Sequence, residues 1–358
     1  MKIVFLVSHL LGGGAERTVS YLSNYIAKNK QDDVTILSLS GESFYQLCDK
    51  VNCVNLNISS TNKNLFDRVY KICLRFIKVR KAIKALQPDV VVCMLANTAK
   101  YLPKNKKYKL VCSERSNPLI ITDKKDVERR NKILRLSDGI IFQTERAKLC
   151  FPIDIQNKGV VIPNAVGNPF VNKVVPTTCK EKSITAMGRL HKAKDYPTLI
   201  KAFKIVGEKH PEFTLQIYGG GNKTELENLA KELNVFDKVK FMGAKEDAIL
   251  DISKSTCYVL SSIYEGMPNA LMEAMAVGLP CVSTDCPFGP SELIVDGENG
   301  LLVPVGDETK LAAAITKIIE DSNLSKKLSD NARNILNTNN IEVISEKYYQ
   351  FIKGQNGN

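Results

Sequence analysis

The sequence predicts an α/β chain of two doubly wound parallel-sheet domains in tandem, and three observations predict it. Short apolar runs alternate with longer segments of helical spacing, the pattern of a parallel sheet with helices on both faces. That pattern stops and restarts near the middle of the chain. The length of 358 residues exceeds what a single hydrophobic core supports.

In the first half, residues 3–7, 34–39, 90–95, 110–112 and 139–143 read as strands, with helical spacing over 15–30 and 65–86. In the second half, residues 183–187, 214–218, 239–242, 257–260 and 280–283 read as strands. Helical spacing there covers 195–209, 223–233, 270–276 and 309–321. Residues 167–182 carry two prolines, polar side chains and little periodicity, as an interdomain linker does. The expected division is therefore an N-terminal domain over 1–166, a linker over 167–182 and a C-terminal domain over 183–339. A helical stretch over 340–358 follows, able to pack back on the N-terminal domain.

Composition bounds the class. Hydrophobic residues make up 44% and charged residues 25%, which fits a soluble globular protein and excludes disorder. The net charge of +12 is uneven: residues 1–165 hold 28 Lys and Arg against 14 Asp and Glu. That half is expected to meet an anionic partner: nucleic acid, an acidic membrane or a phosphorylated substrate. The ten cysteines form no Cys-x-x-Cys pair and most lie in apolar runs, so they read as reduced core residues of a cytoplasmic protein. Residues 1–11 read as a buried first strand rather than a signal peptide. No apolar run approaches the roughly 20 residues of a membrane span.

Ligands of doubly wound sheets bind at the carboxyl ends of the strands, so the loops there are where chemistry is expected. Gly12-Gly13-Gly14 follows the first strand and precedes a helix, and Tyr218-Gly219-Gly220-Gly221 repeats the arrangement in the second half. Glycine lets the backbone approach a phosphate, and a helix N-terminus offers it free N–H groups. After the first strand of the second half comes Gly188-Arg189-Leu190, with Lys194 in the same turn. A guanidinium and an ammonium together suit a diphosphate. Glu265-Gly266-Met267-Pro268-Asn269-Ala270-Leu271-Met272-Glu273 spans a strand end and a helix start. The backbone N–H groups of Asn269, Ala270 and Leu271 would point at a phosphate there, with Glu265 and Glu273 placed to accept from sugar or ribose hydroxyls.

Taken together and in this order, these motifs resemble the family 4 retaining glycosyltransferases with the GT-B fold. Glu265 and Glu273 resemble the family's paired glutamates, and Arg189 with Lys194 its basic motif. Gly12-Gly13-Gly14, Ile162-Pro163-Asn164-Ala165-Val166 and Asp296-Gly297-Glu298-Asn299-Gly300 are similar to its flanking segments. The resemblance implies two Rossmann-like domains facing a central cleft. It implies that Arg189 and Lys194 clamp the donor diphosphate, that Glu273 holds the ribose and that Glu265 lies near the transferred sugar. It further implies donor contacts at Gly13, Gly14, Gly220, Gly243, Gly266, Met267, Asn269, Ala270 and Leu271. No cofactor and no metal are implied: Arg189 and Lys194 stand where other transferases use an ion, and the leaving phosphate takes the acceptor proton. Arg115 stands where many members carry a histidine. Arg115 and Asn164 are therefore expected on the acceptor side, whereas His9, a lone histidine at a strand end, reads as structural.

Residues 63–86 carry eight cations against the single acid Asp67. Arg68, Lys71, Arg75 and Lys78 share a stripe and apolar residues another face, as in a helix lying on an anionic membrane. The expected reaction moves a hexose or N-acetylhexosamine from a UDP-sugar to a lipid-diphosphate-linked glycan. The setting expected is the inner face of the membrane, during lipopolysaccharide, capsule or glycoconjugate assembly. A nucleotide-sugar epimerase or another GT-B enzyme is the alternative. A nucleic-acid-binding protein is a remote one, since no recognition motif or aromatic stacking series accompanies the charge.

Overall fold

The computed structural model describes residues 1–10, 14–41, 45–59, 64–115, 117–167, 181–245 and 248–354. The chain forms two compact units, 1–165 with 341–358 and 166–340. The terminal helix therefore belongs to the first unit, and the boundary falls at residue 166.

The first unit holds β1 (Lys2–Val7), β2 (Asp33–Ser38), β3 (Val51–Asn55), β4 (Val90–Cys93), β5 (Lys109–Glu114), β6 (Gly139–Phe142) and β7 (Gly159–Val161). They form one parallel sheet in the order β3-β2-β1-β4-β5-β6-β7. Helices α1 (Gly14–Asn29), α2 (Leu65–Leu86), α3 (Lys124–Leu136), α4 (Glu145–Leu149) and α5 (Ile153–Gln156) join the strands. Two cores result, one on each face of the sheet. One gathers Ile3, Phe5, Leu22, Ile26 and Val92; the other gathers Val4, Leu6, Val79, Ile83 and Phe142. Strands covered on both sides need apolar residues at every position, and β4 and β1 from Ile3 onward have them.

The second unit holds β8 (Glu181–Met187), β9 (Thr214–Tyr218), β10 (Val239–Gly243), β11 (Ser255–Leu260), β12 (Cys281–Thr284) and β13 (Leu301–Val303). This sheet is also parallel, in the order β10-β9-β8-β11-β12-β13. Its helices are α6 (Tyr196–Lys209), α7 (Thr224–Glu232), α8 (Ala248–Ile252), α9 (Asn269–Ala276), α10 (Pro290–Leu293), α11 (Glu308–Glu320), α12 (Ser322–Ala332) and α13 (Ile335–Thr338). The chain enters and leaves this unit side by side, with the Val166 N–H donating to the Asn339 carbonyl at 2.7 Å.

The last helix, α14 (Ile341–Lys353), lies on α1 and sends Ile344, Tyr348 and Ile352 into the first unit's core. Polar contacts fix it. Tyr25 Oη donates to Glu346 at 2.8 Å, Lys30 pairs with Glu346 at 2.9 Å, and Lys109 Nζ donates to the carbonyls of Phe351 and Ile352.

The structure corrects the sequence reading in several places. Strands β3, β7 and β13 were not expected, nor was α3. The expected linker lies largely outside the described residues, and Glu181 and Lys182 open β8 instead. Cys93, Cys112, Cys257, Cys281 and Cys286 are buried as expected, but Cys53, Cys73 and Cys150 are exposed; Cys179 lies outside the described residues.

Candidate active site

In each sheet the strand order reverses once, and a ligand crevice opens at that switch point, where successive connections diverge to opposite faces. In the second unit the reversal falls between β8 and β11. The loops after these two strands carry Arg189, Lys194 and Glu265, so residues far apart in sequence meet at one strand edge.

Glycines make the close approach possible. The turns after β8, β9 and β10 are joined by backbone bonds: Gly188 N–H to the Tyr218 carbonyl, Leu190 N–H to Gly220 and Gly219 N–H to Gly243, each 2.8 Å. Gly219 has φ 150°, and a Cβ there would stand 1.9 Å from the Gly188 carbonyl oxygen. A Cβ on Gly188 would stand 2.8 Å from Lys194 Cε, so the bare backbone lets the lysine pass toward β11. Gly220 and Gly243, two of the expected donor contacts, thus lie in this joined set of turns.

Lys194 Nζ reaches Glu265 Oε1 at 2.6 Å, and Ser262 Oγ donates to the same oxygen at 2.6 Å. Two more bonds tie the loops together: Ser261 Oγ to the Lys194 carbonyl at 2.7 Å and Ile263 N–H to the Ala193 carbonyl at 2.8 Å. Behind Glu265, burial pushes the Cys286 thiol up to about 12, with the Glu265 charge adding to the shift. Burial also pushes the Tyr196 and Tyr258 phenols up. These neighbours therefore stay neutral near pH 7. The Arg189 side chain is exposed and has no partner among the described residues, so its five donors face solvent.

Helix α9 starts beside this pair. Pro268 is its N-cap, and its carbonyl accepts from the Met272 N–H at 3.1 Å, which leaves the N–H groups of Asn269, Ala270 and Leu271 at the helix mouth. The loop before it is backed closely by Gly289, where a Cβ would stand 2.4 Å from the Gly266 carbonyl oxygen. Met267, Leu271 and Glu273 are buried, so Met267 and Leu271 can offer a ligand only their backbone. Glu273 is a buried carboxylate one turn into the helix.

On the first unit the expectations fare differently. Gly13 lies outside the described residues, and Gly14 opens α1. The Arg115 guanidinium is committed internally: it donates to Tyr348 Oη and Thr18 Oγ1, each at 2.9 Å, and to Asn164 Oδ1. Asn164 is buried. These two residues brace β5, α1 and α14 together. His9 lies 3.1 Å from Glu16, a buried carboxylate on α1.

The basic stripe on α2 is also corrected. Lys71 pairs with Asp67 at 2.6 Å, Lys78 donates to the Leu56 carbonyl at 2.8 Å, and Arg75 turns toward Tyr101 Oη at 3.4 Å. Of the four cations only Arg68 is exposed. The outward face is apolar instead: Leu65, Phe66, Val69, Tyr70 and Ile77 are 54% to 87% exposed, with Arg80, Lys81 and Lys84 exposed further along the helix. No helix among the described residues is long and apolar enough to cross a membrane.

Residues 172–335 match the family described as glycosyl transferases group 1. An uncharacterized glycosyltransferase of Haemophilus influenzae is 28% identical, covering 97% of this chain and 98% of its own length. A Campylobacter jejuni protein is 29% identical and covers 98% of both chains. Its name is GalNAc-alpha-(1->4)-GalNAc-alpha-(1->3)-diNAcBac-PP-undecaprenol alpha-1,4-N-acetyl-D-galactosaminyltransferase. Among solved structures, sucrose-phosphate synthase from Thermosynechococcus elongatus superposes with a TM-score of 0.82 at 18% identity, over 98% of both chains. Anabaena HepE in complex with UDP and glucose superposes with a TM-score of 0.81 at 17% identity, over 99% of this chain and 100% of that one. As the motifs' resemblance to family 4 enzymes implied, the chain is a glycosyltransferase of the GT-B fold.

Proposed function

We propose that the chain transfers a hexose or N-acetylhexosamine from a UDP-sugar to a lipid-diphosphate-linked glycan, with retention and without a metal, in the assembly of a surface polysaccharide or glycoconjugate. The observation that carries this reading is the meeting of Lys194, Arg189 and the mouth of α9 at the switch point of the second sheet. Two cations and a helix N-terminus there can compensate the charge of a departing nucleoside diphosphate, and that compensation is most of what such a transfer needs. Glu265 holds Lys194 at 2.6 Å. In this reading the incoming diphosphate draws Lys194 and Arg189 to itself, and Glu265 is released toward the sugar hydroxyls. Glu273 accepts from the ribose.

The acceptor class is supported by the relatives. The Campylobacter jejuni protein above acts on an undecaprenol-diphosphate glycan by its name, and a Rhizobium meliloti relative is named a lipopolysaccharide core biosynthesis glycosyltransferase. The outer face of α2 supports a bilayer as the place of work. Its large exposed apolar side chains would enter the acyl boundary, and Arg68, Arg80, Lys81 and Lys84 would meet anionic headgroups. A second copy fits this face less well, because it would set the same cations against each other. The test is a panel of nucleotide sugars with an undecaprenyl-diphosphate-linked glycan, read by nucleotide release and by the anomeric configuration of the product. Release of UDP that chelator leaves unchanged, with the α-configuration kept, is the expected result. Inversion, or dependence on added divalent metal, overturns that part of the reading.

A further inference from the structure

The first sheet has its own switch point, between β1 and β4, and a cavity of about 210 Å³ opens there. Ser8 and His9 after β1, Ser40 after β2 and Asn97, Thr98, Lys100 and Tyr101 after β4 line it, with Arg75 entering from the inner face of α2. Arg75 Nη1 reaches Tyr101 Oη at 3.4 Å, while Arg75 Nε is buried and has no hydrogen-bond partner. Lys100 is exposed and lies 5.0 Å from the centre of the Tyr101 ring. Among the described residues neither cation has a carboxylate partner, in contrast to Lys71 and Lys194, which are both neutralised.

A buried guanidinium nitrogen without an acceptor costs free energy unless a ligand supplies one. Two cations without carboxylate partners, the exposed Asn97 amide and a strand-end crevice make a place for an anion with several oxygens. We propose that this cavity takes the diphosphate of the acceptor. The inference rests on the acceptor class proposed above. It gives α2 two duties: its outer apolar face meets the bilayer, and its inner arginine holds the phosphate group that leads from lipid to glycan.

The test has two arms. In the first, inorganic pyrophosphate is titrated by calorimetry into the full chain carrying Lys194→Ala, which weakens the competing donor site, with and without Arg75→Gln and Lys100→Gln. The added substitutions are expected to weaken binding about tenfold or more. Undiminished binding overturns the proposal. Lys100→Gln alone changes an exposed side chain and keeps the arm readable if the Arg75 variant fails to fold. In the second arm, KM is compared for an undecaprenyl-diphosphate glycan and for the same glycan as a simple alkyl glycoside. Arg75→Gln with Lys100→Gln should raise KM about tenfold for the first and leave the second unchanged. An equal effect on both, or none, shows a pocket for free phosphate or none, and overturns the acceptor assignment. A wild-type chain that turns over no UDP-sugar sinks the proposed function instead, and the pyrophosphate titration still decides the anion site.

Discussion

Lys194 and Glu265 are 71 positions apart in sequence, and their side chains meet at 2.6 Å where the second sheet reverses its strand order. The pair is mostly buried, with 20% and 13% of the side chains exposed. In the proposed reading this ammonium exchanges the carboxylate for the donor diphosphate.

Lys194→Ala removes the ammonium and leaves Glu265 with Ser262 alone. In the proposed reading the lysine compensates charge that develops in the transition state, so activity should fall by about two orders of magnitude or more. Stability should fall by about 1–3 kcal/mol, the penalty of an uncompensated and largely buried carboxylate. Paired assays of turnover and urea unfolding check both, and Glu265→Gln in the same background should recover stability without recovering turnover.

Gly219→Ala should be among the costliest single substitutions in the second unit. Its φ of 150° and the 1.9 Å approach of a Cβ to the Gly188 carbonyl leave the side chain no room. A loss of about 2–3 kcal/mol is expected, with weaker UDP binding, because the β8 and β9 turns must part. Gly207, in α6, has open space around its Cβ and serves as the control. Chemical unfolding of Gly219→Ala and Gly207→Ala side by side reads the difference.

Acid should loosen α14 from α1. The Glu346 carboxyl is held below its ordinary value, first by its bond to Lys30 and then by Gln350 and Tyr25. A lowered folded value means stability that is fully present above the unfolded pKa and lost as the pH falls through the folded one. The contribution is modest because Glu346 is 36% exposed. Hydrogen exchange of 341–353 should rise on acidification in the wild type, and Glu346→Gln should flatten that dependence.

Changing Phe66 and Ile77 to Ser should leave the fold intact, since both side chains are mostly in solvent. Binding to phosphatidylglycerol vesicles should drop about tenfold or more, the value of two large apolar groups withheld from the acyl boundary. Co-sedimentation checks this, and unchanged partitioning would leave the apolar face without a bilayer role.

Much of this was legible because the fold repeats a simple rule. Apolar runs followed by glycine-bearing loops marked β1, β8 and β9, and the candidate donor residues sit on the loops after β8, β9 and β11. Strands β7 and β13 are only three residues long, and β3, Val51-Asn52-Cys53-Val54-Asn55, sits at the sheet edge with polar residues that interrupt any run. Helix α3 is so rich in charge that it shows little apolar periodicity. The outward face of α2 was misread for a different reason. Periodicity separates two faces of a helix without saying which one meets the protein. Here only Val79 and Ile83 are buried, near the C-terminal end, so the apolar N-terminal turns stand clear of the core. The bracing contacts of Arg115 were not legible because its partners Thr18, Asn164 and Tyr348 come from three remote segments, and no local pattern announces such a meeting.

The most direct test of the central claim measures UDP release from UDP-hexose and UDP-N-acetylhexosamine donors, with an undecaprenyl-diphosphate-linked glycan as acceptor. The chains compared are the wild type, Lys194→Ala and Glu273→Ala. The account predicts acceptor-dependent release by the wild type and its near loss in both variants, each still folded by circular dichroism. Turnover close to wild type in both variants would contradict the assignment of the donor site to the β8–β11 switch point.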